Sequence, residues 1–408
     1  MYTDLYRKLW LTMNESIWGD ESMSENSIFN MQPAIMNYTA EDNFTNDSYA
    51  YFEDCDADRF FHPPHIVLAW VVVYVAVIVV AAGGNCIVMW IVLAHREMRT
   101  VTNYFLVNLA LADTLIVVFY TPFQFSYLIT HHWYFGDAYC KIAQFFGPLT
   151  VSASIFTLAA ISIDRYIAII HPMRPRMTKL ESSMIICVVW IVAVLTLLPF
   201  LIYAQTHTYN CPDGQRTTCI LVWPDGQHYN YDFWYHIGRL VITYVIPLTA
   251  MAISYTIVGI KLWGSQTPGE CSHRHREQLR AKRKVVKMMI FVLLVFAVCW
   301  LPLHIFLLLT RYHLYLYARK HMQQVYLGIF WLAMSNSMYN PFIYCWMNDR
   351  FRRGFKRALR FCPFIKKEPF RRPIRPSTIS GSTHSSKLSR NGSIETTTDH
   401  HHPVEHIM

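Results

Sequence analysis

The chain has 408 residues, of which 53% are hydrophobic and only 15% are charged. A soluble two-domain protein of this length would carry charge on about a quarter of its residues, so the composition indicates a membrane protein instead. The formal net charge of +9 could suggest nucleic-acid binding, but the basic residues flank apolar segments, where anionic lipid and a cytoplasmic partner explain them better. We therefore expect no nucleic-acid partner.

The first 65 residues are predicted to form an extracellular segment. They are rich in Asp and Glu, they lack the short basic and then apolar pattern of a secretory signal peptide, and they contain sequons for N-linked glycosylation. The sequons begin at Asn14, Asn37, Asn43 and Asn46. The apolar segment that follows is expected to act as its own signal anchor.

Seven apolar segments come next, and each is at least about as long as the roughly twenty residues needed to cross the hydrocarbon core of a bilayer. They cover residues 66–93, 104–129, 142–170, 184–204, 235–262, 285–309 and 325–346. This pattern predicts an all-α membrane protein whose seven-transmembrane helix bundle occupies residues 66–346.

The basic residues of the connections predict the orientation of the chain. Short basic connections follow the first and third segments, and the long connection between the fifth and sixth carries many Lys and Arg residues between Lys261 and Lys287. Positive charge concentrates on the cytoplasmic side of membrane proteins. We therefore expect a multi-pass protein of the plasma membrane with its N-terminus outside the cell and its C-terminus inside.

Cysteines at the outer side predict at least one disulfide. Cys140 opens the third segment, and Cys211 and Cys219 lie in the following outer loop. Sequence alone cannot fix the connectivity. Cys219 is the favoured partner of Cys140, and Cys211 is a candidate partner of Cys55.

Asp113 lies in the middle of the second segment, where a charge is costly and should face the interior of the bundle. Polar residues of three other segments could converge on its carboxylate, and such a cluster suits a hydrated sodium ion. The candidate residues are Asp113, Asn85, Ser154, Asn336 and Asn340. We expect no cofactor other than this ion.

Three short motifs occur in order along the later segments. Asp164-Arg165-Tyr166 ends the third segment, Cys299-Trp300-Leu301-Pro302 lies in the sixth, and Asn340-Pro341 precedes Tyr344 in the seventh. The prolines remove backbone hydrogen bonds and kink their helices. Arg165 can pair with Asp164 in a resting bundle. The tripeptide alone is a weak signal, but the three motifs together are a strong one.

These residues resemble the rhodopsin-like family of G-protein-coupled receptors across residues 66–361. The matching helix positions are Asn85, Asp113, Arg165, Trp190, Pro247, Pro302 and Pro341. The resemblance implies that agonist contact near Trp300 repacks Pro247, Ile155 and Phe296, and that the sixth helix then swings outward. Asp164 then releases Arg165, Tyr255 and Tyr344 turn inward to hold it, and a G-protein helix enters the cleft.

A closer resemblance, to the tachykinin receptors, is carried by several longer stretches. They are residues 133–136, 258–260, 281–289, 299–306, 323–327, 331–334 and 348–351. This resemblance implies a short amidated peptide agonist, a G protein that activates phospholipase C, and an invertebrate tachykinin-like or natalisin-type receptor. The matched peptide-binding positions are Gln124, Gln144, His236, His304 and Tyr326.

The chain departs from the tachykinin pattern at three positions. Tyr120 replaces an asparagine, Phe200 replaces a glutamine, and Arg239 places a charge where relatives are typically neutral. Arg239 either binds an acidic group of the peptide or extends towards the outer membrane interface. A receptor for another amidated neuropeptide, of the neuropeptide Y-like or RF-amide class, is the alternative within this family.

The C-terminal region is predicted to lie in the cytoplasm. Residues 347–362 alternate apolar and basic residues, as in a helix on the inner leaflet, and Cys362 is the predicted palmitoylation site. Residues 363–408 are too polar to bury a core, and phosphorylation there is expected to recruit arrestin. A transporter would need an inverted repeat, which is not found. Catalysis is not expected, because only Asp113 is deeply placed.

Overall fold

The structure is a computed structural model, and it describes residues 63–211, 214–224, 229–264, 273–312 and 322–360. The sequons, Cys55, Cys362 and the tail from residue 363 lie outside the described residues. Glycosylation, palmitoylation and arrestin binding therefore stay predictions.

Within the described residues, seven long α-helices and one short α-helix follow each other, and we label them α1 to α8. Two of the long helices are interrupted: α2 changes direction at Tyr120, and α5 contains a π-helical turn at Val241–Val245. The bounds are α1 Pro64–Ala94, α2 Val101–Phe119 and Thr121–Thr130, α3 Gly136–Ile170, α4 Lys179–Tyr203, α5 Tyr229–Leu240 and Ile246–Gly264 around the π turn, α6 His273–Tyr312, α7 Met322–Met347 and α8 Asp349–Ala358.

Local sequence signals explain where several helices begin. Pro64 occupies the first turn of α1, where its missing N–H costs nothing. Thr178 and Glu181 form a reciprocal capping box at the start of α4. At the start of α8, the Asn348 side chain accepts a hydrogen bond of 3.0 Å from the Arg350 backbone N–H.

Helices α1 to α6 are each long and apolar enough to cross a membrane, as judged by length and composition. Helix α7 has no apolar run as long, because Ser, Asn and Gln residues interrupt its sequence. It nevertheless spans 26 residues in the same bundle. The all-α fold with seven bundled helices is therefore confirmed.

The helices pack in a ring that closes between α1 and α7. Each of α1, α5, α6 and α7 contacts its neighbours in the ring, whereas α3 contacts α2, α4, α5 and α6. Helix α3 therefore occupies the centre of the bundle, and its residues can contact side chains from most of the other helices.

One close approach holds α1 against α7. A Cβ atom added to Gly84 would lie 2.9 Å from the ring of Pro341, so only glycine allows the two helices to pack this tightly. The kinked helix that carries Asn340 and Pro341 is thereby fixed against α1.

The outer loop between α4 and α5 contains a β-hairpin. Strand β1, Ala204–Cys211, pairs antiparallel with β2, Gly214–Leu221, so that Ala204 lies opposite Leu221. The backbone N–H of Trp133, in the loop before α3, donates a hydrogen bond of 2.7 Å to the carbonyl of Thr217. The sequence predicted only a loop here, and the hairpin, which we call the lid, packs against α3.

Helix α8 is amphipathic. Phe351 and Phe355 are buried, whereas Arg352 and Arg353 on the other face are exposed. Helix α8 contacts α1 and α7, so it lies against these two helices within the region predicted for it.

Candidate functional site

The hairpin is anchored to the central helix. A disulfide joins Cys140, near the start of α3, to Cys219 on β2, so the predicted pairing of these two cysteines is confirmed. Cys211 is disulfide-bonded as well, but its proposed partner Cys55 lies outside the described residues. Asp137 adds a second attachment, because its carboxylate accepts a hydrogen bond of 2.9 Å from the Thr206 backbone N–H on β1.

Beneath the hairpin, the predicted pocket residue Gln144 faces the disulfide. Its side-chain amide donates a hydrogen bond of 3.2 Å to the carbonyl of Cys219. Gln144 is partly exposed, so its amide is available to a ligand that enters under the hairpin. The lid and this side of the pocket are therefore one connected unit.

Helix α5 contributes two of the predicted pocket residues. His236 lies with its Nε2 atom 3.3 Å from a carboxylate oxygen of Asp232, one turn earlier on the same helix. Its ring centroid is 6.0 Å from that of Phe200 on α4. Arg239 places its guanidinium carbon 5.9 Å from the centre of the same Phe200 ring, so Phe200 is in contact with both residues.

Helices α6 and α7 carry two further predicted pocket residues, His304 and Tyr326. The His304 ring lies 4.6 Å from the ring of Tyr244 and 6.4 Å from that of Trp300. The Tyr326 ring stacks on Phe306 at 5.0 Å. His304 is thus the predicted pocket residue that contacts the core tryptophan directly.

The remaining predicted pocket residue, Gln124, lies on α2 one turn beyond Tyr120. Its backbone N–H donates a hydrogen bond of 3.0 Å to the Tyr120 carbonyl. The Tyr120 ring packs so closely on α3 that a Cβ atom on Gly147 would lie 2.7 Å from it, and Phe330 on α7 lies between the rings of Tyr120 and Tyr326. Aromatic contacts therefore connect the α2 and α7 sides of the pocket.

In the middle of the bundle, Asp113 receives two hydrogen bonds from α7. Asn340 donates to it at 2.8 Å and Ser337 at 3.1 Å. Asn85 on α1 donates to the Ser337 carbonyl at 2.8 Å. The structure therefore brings together Asp113, Asn85 and Asn340 as predicted, and it adds Ser337, which the sequence analysis missed.

The other two residues predicted for the sodium cluster, Ser154 and Asn336, are buried but are not hydrogen-bond partners of Asp113. Around the cluster, several buried polar atoms of the described residues lack a hydrogen-bond partner, and buried polar atoms ordinarily have one. They include Oδ1 of Asn85, Oδ1 of Asn340, the hydroxyl of Tyr344 and Nε1 of Trp300. Unsatisfied oxygens beside a carboxylate fit water and a hard cation such as sodium.

Near the C-terminal end of α3, Arg165 is paired with Asp164. Its Nε atom lies 3.0 Å from the Asp164 carboxylate, and its terminal nitrogen contacts the same carboxylate and the hydroxyl of Thr102. Thr102 on α2 also donates to Asp164 at 3.2 Å. This is the pairing predicted for a resting bundle, and Thr102 is a partner that the sequence analysis missed.

The two tyrosines predicted to hold Arg165 in an active state do not bind it here. Tyr255 on α5 is buried and close enough to Arg165 for electrostatic interaction. The ring of Tyr344 instead packs 5.7 Å from that of Phe351 on α8. Tyr166 is partly buried, with its ring 6.0 Å from that of His171.

Between the pocket and Arg165, four rings form a closed set of contacts across α5 and α6. His304 contacts Tyr244, Tyr244 contacts Phe296 at 6.4 Å, Phe296 contacts Trp300 at 6.0 Å, and Trp300 contacts His304. Ile155 and Pro247, which were predicted to repack with Phe296, are both buried. Tyr244 was not predicted, and the π-helical turn that carries it gave no signal in the sequence.

A comparison with known families decides between the possible identities of such a bundle. The family profile described as 7 transmembrane receptor (rhodopsin family) matches residues 84–344. The chain belongs to this receptor family. Receptors of this family span the plasma membrane several times and are not enzymes, so both predictions are confirmed at that level.

Individual receptors of this family are also similar to the chain over most of its length. The human substance-P receptor is 48% identical over 310 residues, which are 76% of this chain and 75% of that receptor. The human neuromedin-K receptor is 49% identical over 311 residues, 76% of this chain and 65% of that receptor. The predicted resemblance to the tachykinin receptors is therefore confirmed.

Proposed function

We propose that this receptor binds a short amidated peptide of the tachykinin type in the pocket beneath the hairpin. The similarity to receptors named for substance P and neuromedin K supports a peptide ligand. The observation that carries the proposal is the contact between His304 and Trp300, 6.4 Å apart. It gives a ligand in the pocket direct access to the core of the bundle.

Peptide binding changes the packing of α6 through this contact. A peptide that displaces His304 also shifts Tyr244, Trp300 and Phe296, because the four rings are mutually packed. The cytoplasmic end of α6 then moves outward and Arg165 leaves Asp164. Peptide and G protein both favour this second arrangement, so binding shifts a population between two states.

The partner on the cytoplasmic side is proposed to be a heterotrimeric G protein that activates phospholipase C. The N-terminus lies outside the cell in this proposal, and the basic connections lie inside, as the distribution of positive charge requires. The basic face of α8 lies on anionic lipid. Arrestin binds the tail after phosphorylation.

The proposal is tested by measuring intracellular calcium in cells that express the full chain. Four groups of peptides are applied in parallel: FxGxR-amide, FxPxR-amide, vertebrate-type FxGLM-amide and unrelated RF-amide peptides. We expect a selective calcium rise with one of the first two groups. A response to the RF-amides alone would support the alternative neuropeptide class and overturn the tachykinin assignment.

The Arg165→Ala variant provides the control for receptor-dependent signalling. Loss of the arginine removes the side chain that a G protein engages, so we expect no calcium rise even though surface labelling detects the receptor. A normal calcium response from this variant would contradict the proposed switch.

A sodium ion at Asp113 is proposed as an allosteric ligand. The Asp113 carboxylate and the unsatisfied oxygens of Asn85 and Asn340 support this proposal. A bound sodium ion would stabilise the arrangement of the bundle in which Asp113 carries its negative charge. Agonist binding to wild-type membranes should then weaken when sodium chloride replaces choline chloride at constant ionic strength. Asp113→Asn should remove this difference, and a difference that persists in the variant would argue against the site.

A further inference from the structure

Arg239 is a cation that the structure places inside the outer half of the bundle. It lies ten residues into α5, about 15 Å along the helix from its first residue. Its Nε atom is buried and has no hydrogen-bond partner. Within the described residues, no carboxylate lies within ion-pair distance of its guanidinium group.

The surroundings of Arg239 come from several helices. Phe200 on α4 lies under the guanidinium group and is only 4% exposed. Tyr120 on α2 and His304 on α6 are close enough to interact with the charge of Arg239. The side chain therefore points into the bundle, and this geometry disfavours the reading in which it extends to the outer membrane interface.

The nearest carboxylate along α5 already has other partners. Asp232 accepts a hydrogen bond of 2.8 Å from the Trp223 indole and lies 3.3 Å from His236. It is seven residues before Arg239, which is about 10 Å along the helix. Asp232 thus fixes the outer turn of α5, and the cation further inside is left for another anion.

We propose that Arg239 binds the carboxylate of an acidic side chain of the peptide agonist and so selects peptides that carry one. The inference rests on the proposed peptide function and names the chemistry of one contact. Guanidinium binds carboxylate through two parallel hydrogen bonds, and stacking on Phe200 holds the group in place for them. A charge pair formed in a partly dehydrated pocket contributes much more to the free energy of binding than an exposed pair does.

The same site discriminates against a cationic side chain. A lysine or arginine of the peptide placed against Arg239 would bring two like charges together away from bulk water, and such juxtaposition is a strong source of selectivity. Two of the three positions at which the chain departs from the tachykinin pattern, Phe200 and Arg239, are in contact at this site. These two departures therefore act together on one part of the ligand.

The test uses the amidated peptide that gives the strongest calcium response in the panel described above. Each of its residues before the C-terminal one is replaced in turn by Glu and, in a matched peptide, by Gln. At one position we expect the Glu peptide to be about tenfold more potent than the Gln peptide on the wild-type receptor. In Arg239→Gln this ratio should fall to about one.

Lys141→Gln is the matched control, because Lys141 is an outer cation whose partner Asp137 lies at the surface 3.0 Å away. This variant should retain the wild-type ratio. In Arg239→Glu the preference should reverse, so that a Lys peptide at the same position becomes more potent than the Glu peptide. Surface labelling of each variant separates loss of binding from loss of folding.

The outcomes distinguish this inference from the proposed function. If the wild-type receptor responds to amidated peptides but no position shows a Glu preference, or if Arg239→Gln lowers the potency of Glu and Gln peptides equally, then the anion-binding role is overturned while the peptide function stands. If the wild-type receptor responds to none of the peptides, both are overturned.

Discussion

The hydroxyl of Tyr244 on α5 donates a hydrogen bond of 2.8 Å to the backbone carbonyl of Ala297 on α6. This bond joins the two helices halfway between the peptide pocket and Arg165. It also holds the Tyr244 ring in contact with His304 and Phe296. A displacement of α6 must break the bond or carry Tyr244 with it.

Removing this hydroxyl should make the resting arrangement less stable. Tyr244→Phe keeps the ring contacts and loses a hydrogen bond worth about 1 kcal/mol, which is about fivefold in a two-state equilibrium. We expect ligand-independent inositol phosphate production to rise by up to that factor. Tyr74→Phe is the matched control, because its hydroxyl donates an equivalent 2.8 Å bond between α1 and α7; an equal rise in both variants would contradict the specific role of Tyr244.

The disulfide beneath the hairpin should be needed for peptide binding. Cys219→Ser frees β2 from α3 and loosens the backbone carbonyl of residue 219 that accepts a hydrogen bond from Gln144, so peptide affinity should fall by about tenfold or more. Radioligand displacement on intact cells measures it. Cys187→Ser is the control, since this free cysteine is exposed on α4, and unchanged affinity in Cys219→Ser would show that the lid holds its position without the bond.

The contact between Gly84 and Pro341 predicts a loss of stability. Gly84→Ala would force a methyl group to 2.9 Å from the proline ring, and overpacking of this kind costs about 1–3 kcal/mol. We expect a lower melting temperature of the detergent-solubilised receptor. The neighbouring Gly83→Ala has nothing within 4 Å of its added atom and should melt like the wild type; equal melting of the two variants would refute the packing argument.

Lys284 on α6 and Asp349 on α8 form an exposed ion pair of 2.9 Å. Lys284→Gln should raise ligand-independent signalling by at most a few-fold, because exposed pairs contribute little. Lys287→Gln is the control, because Lys287 lies over the ring of Trp263. Restoration of the basal signal by the exchange Lys284→Asp with Asp349→Lys would confirm that the charges act as a pair, and failure of the exchange would indicate another cause.

The same pair has a defined dependence on pH. The hydrogen bond from Lys284 holds the pKa of Asp349 below its usual range. A carboxylate with a lowered pKa stabilises the folded state at any pH above its ordinary pKa, and the contribution is lost only as the pH falls through the lowered value. Basal signalling of the wild type should therefore be insensitive to this group over cytoplasmic pH, as a titration in permeabilised cells would measure.

Hydropathy was sufficient to predict α1 to α6, because each of them carries an apolar run long enough to cross a bilayer. Helix α7 was predicted at residues 325–346 although polar residues interrupt its sequence. The ends were predicted less well. Helix α5 begins at Tyr229, whereas the apolar segment begins at residue 235, because polar residues such as Asp232 interrupt the first turns. The hairpin was missed because its strands, which contain Thr, Gln and Asn, resemble an ordinary polar loop.

Within the site, charged and motif residues were predictable, but their hydroxyl partners were not. Asp113 and Arg165 are noticeable because a charge in an apolar helix requires a reason. Ser337 and Thr102 are not noticeable in the sequence, because most such hydroxyls form a hydrogen bond with a carbonyl of their own helix. Only the packing of α7 and α2 shows that these two hydroxyls bind a residue of another helix. The contact between Arg239 and Phe200 likewise depends on two helices whose rotation the sequence does not reveal.

The π-helical turn at Val241–Val245 lies between the part of α5 that carries Arg239 and the part that carries Tyr255. Such a turn accommodates one residue more than an α-helical turn, and one residue corresponds to about 100° of rotation. Deleting a single residue here would turn the π turn into an α-helical one and leave His236, Arg239 and Tyr255 facing as they do now. The same deletion in a regular α-helical turn would rotate His236 and Arg239 by about 100° relative to Tyr255. This stretch is therefore the place in α5 where a one-residue gap between related receptors leaves both ends of the helix unchanged.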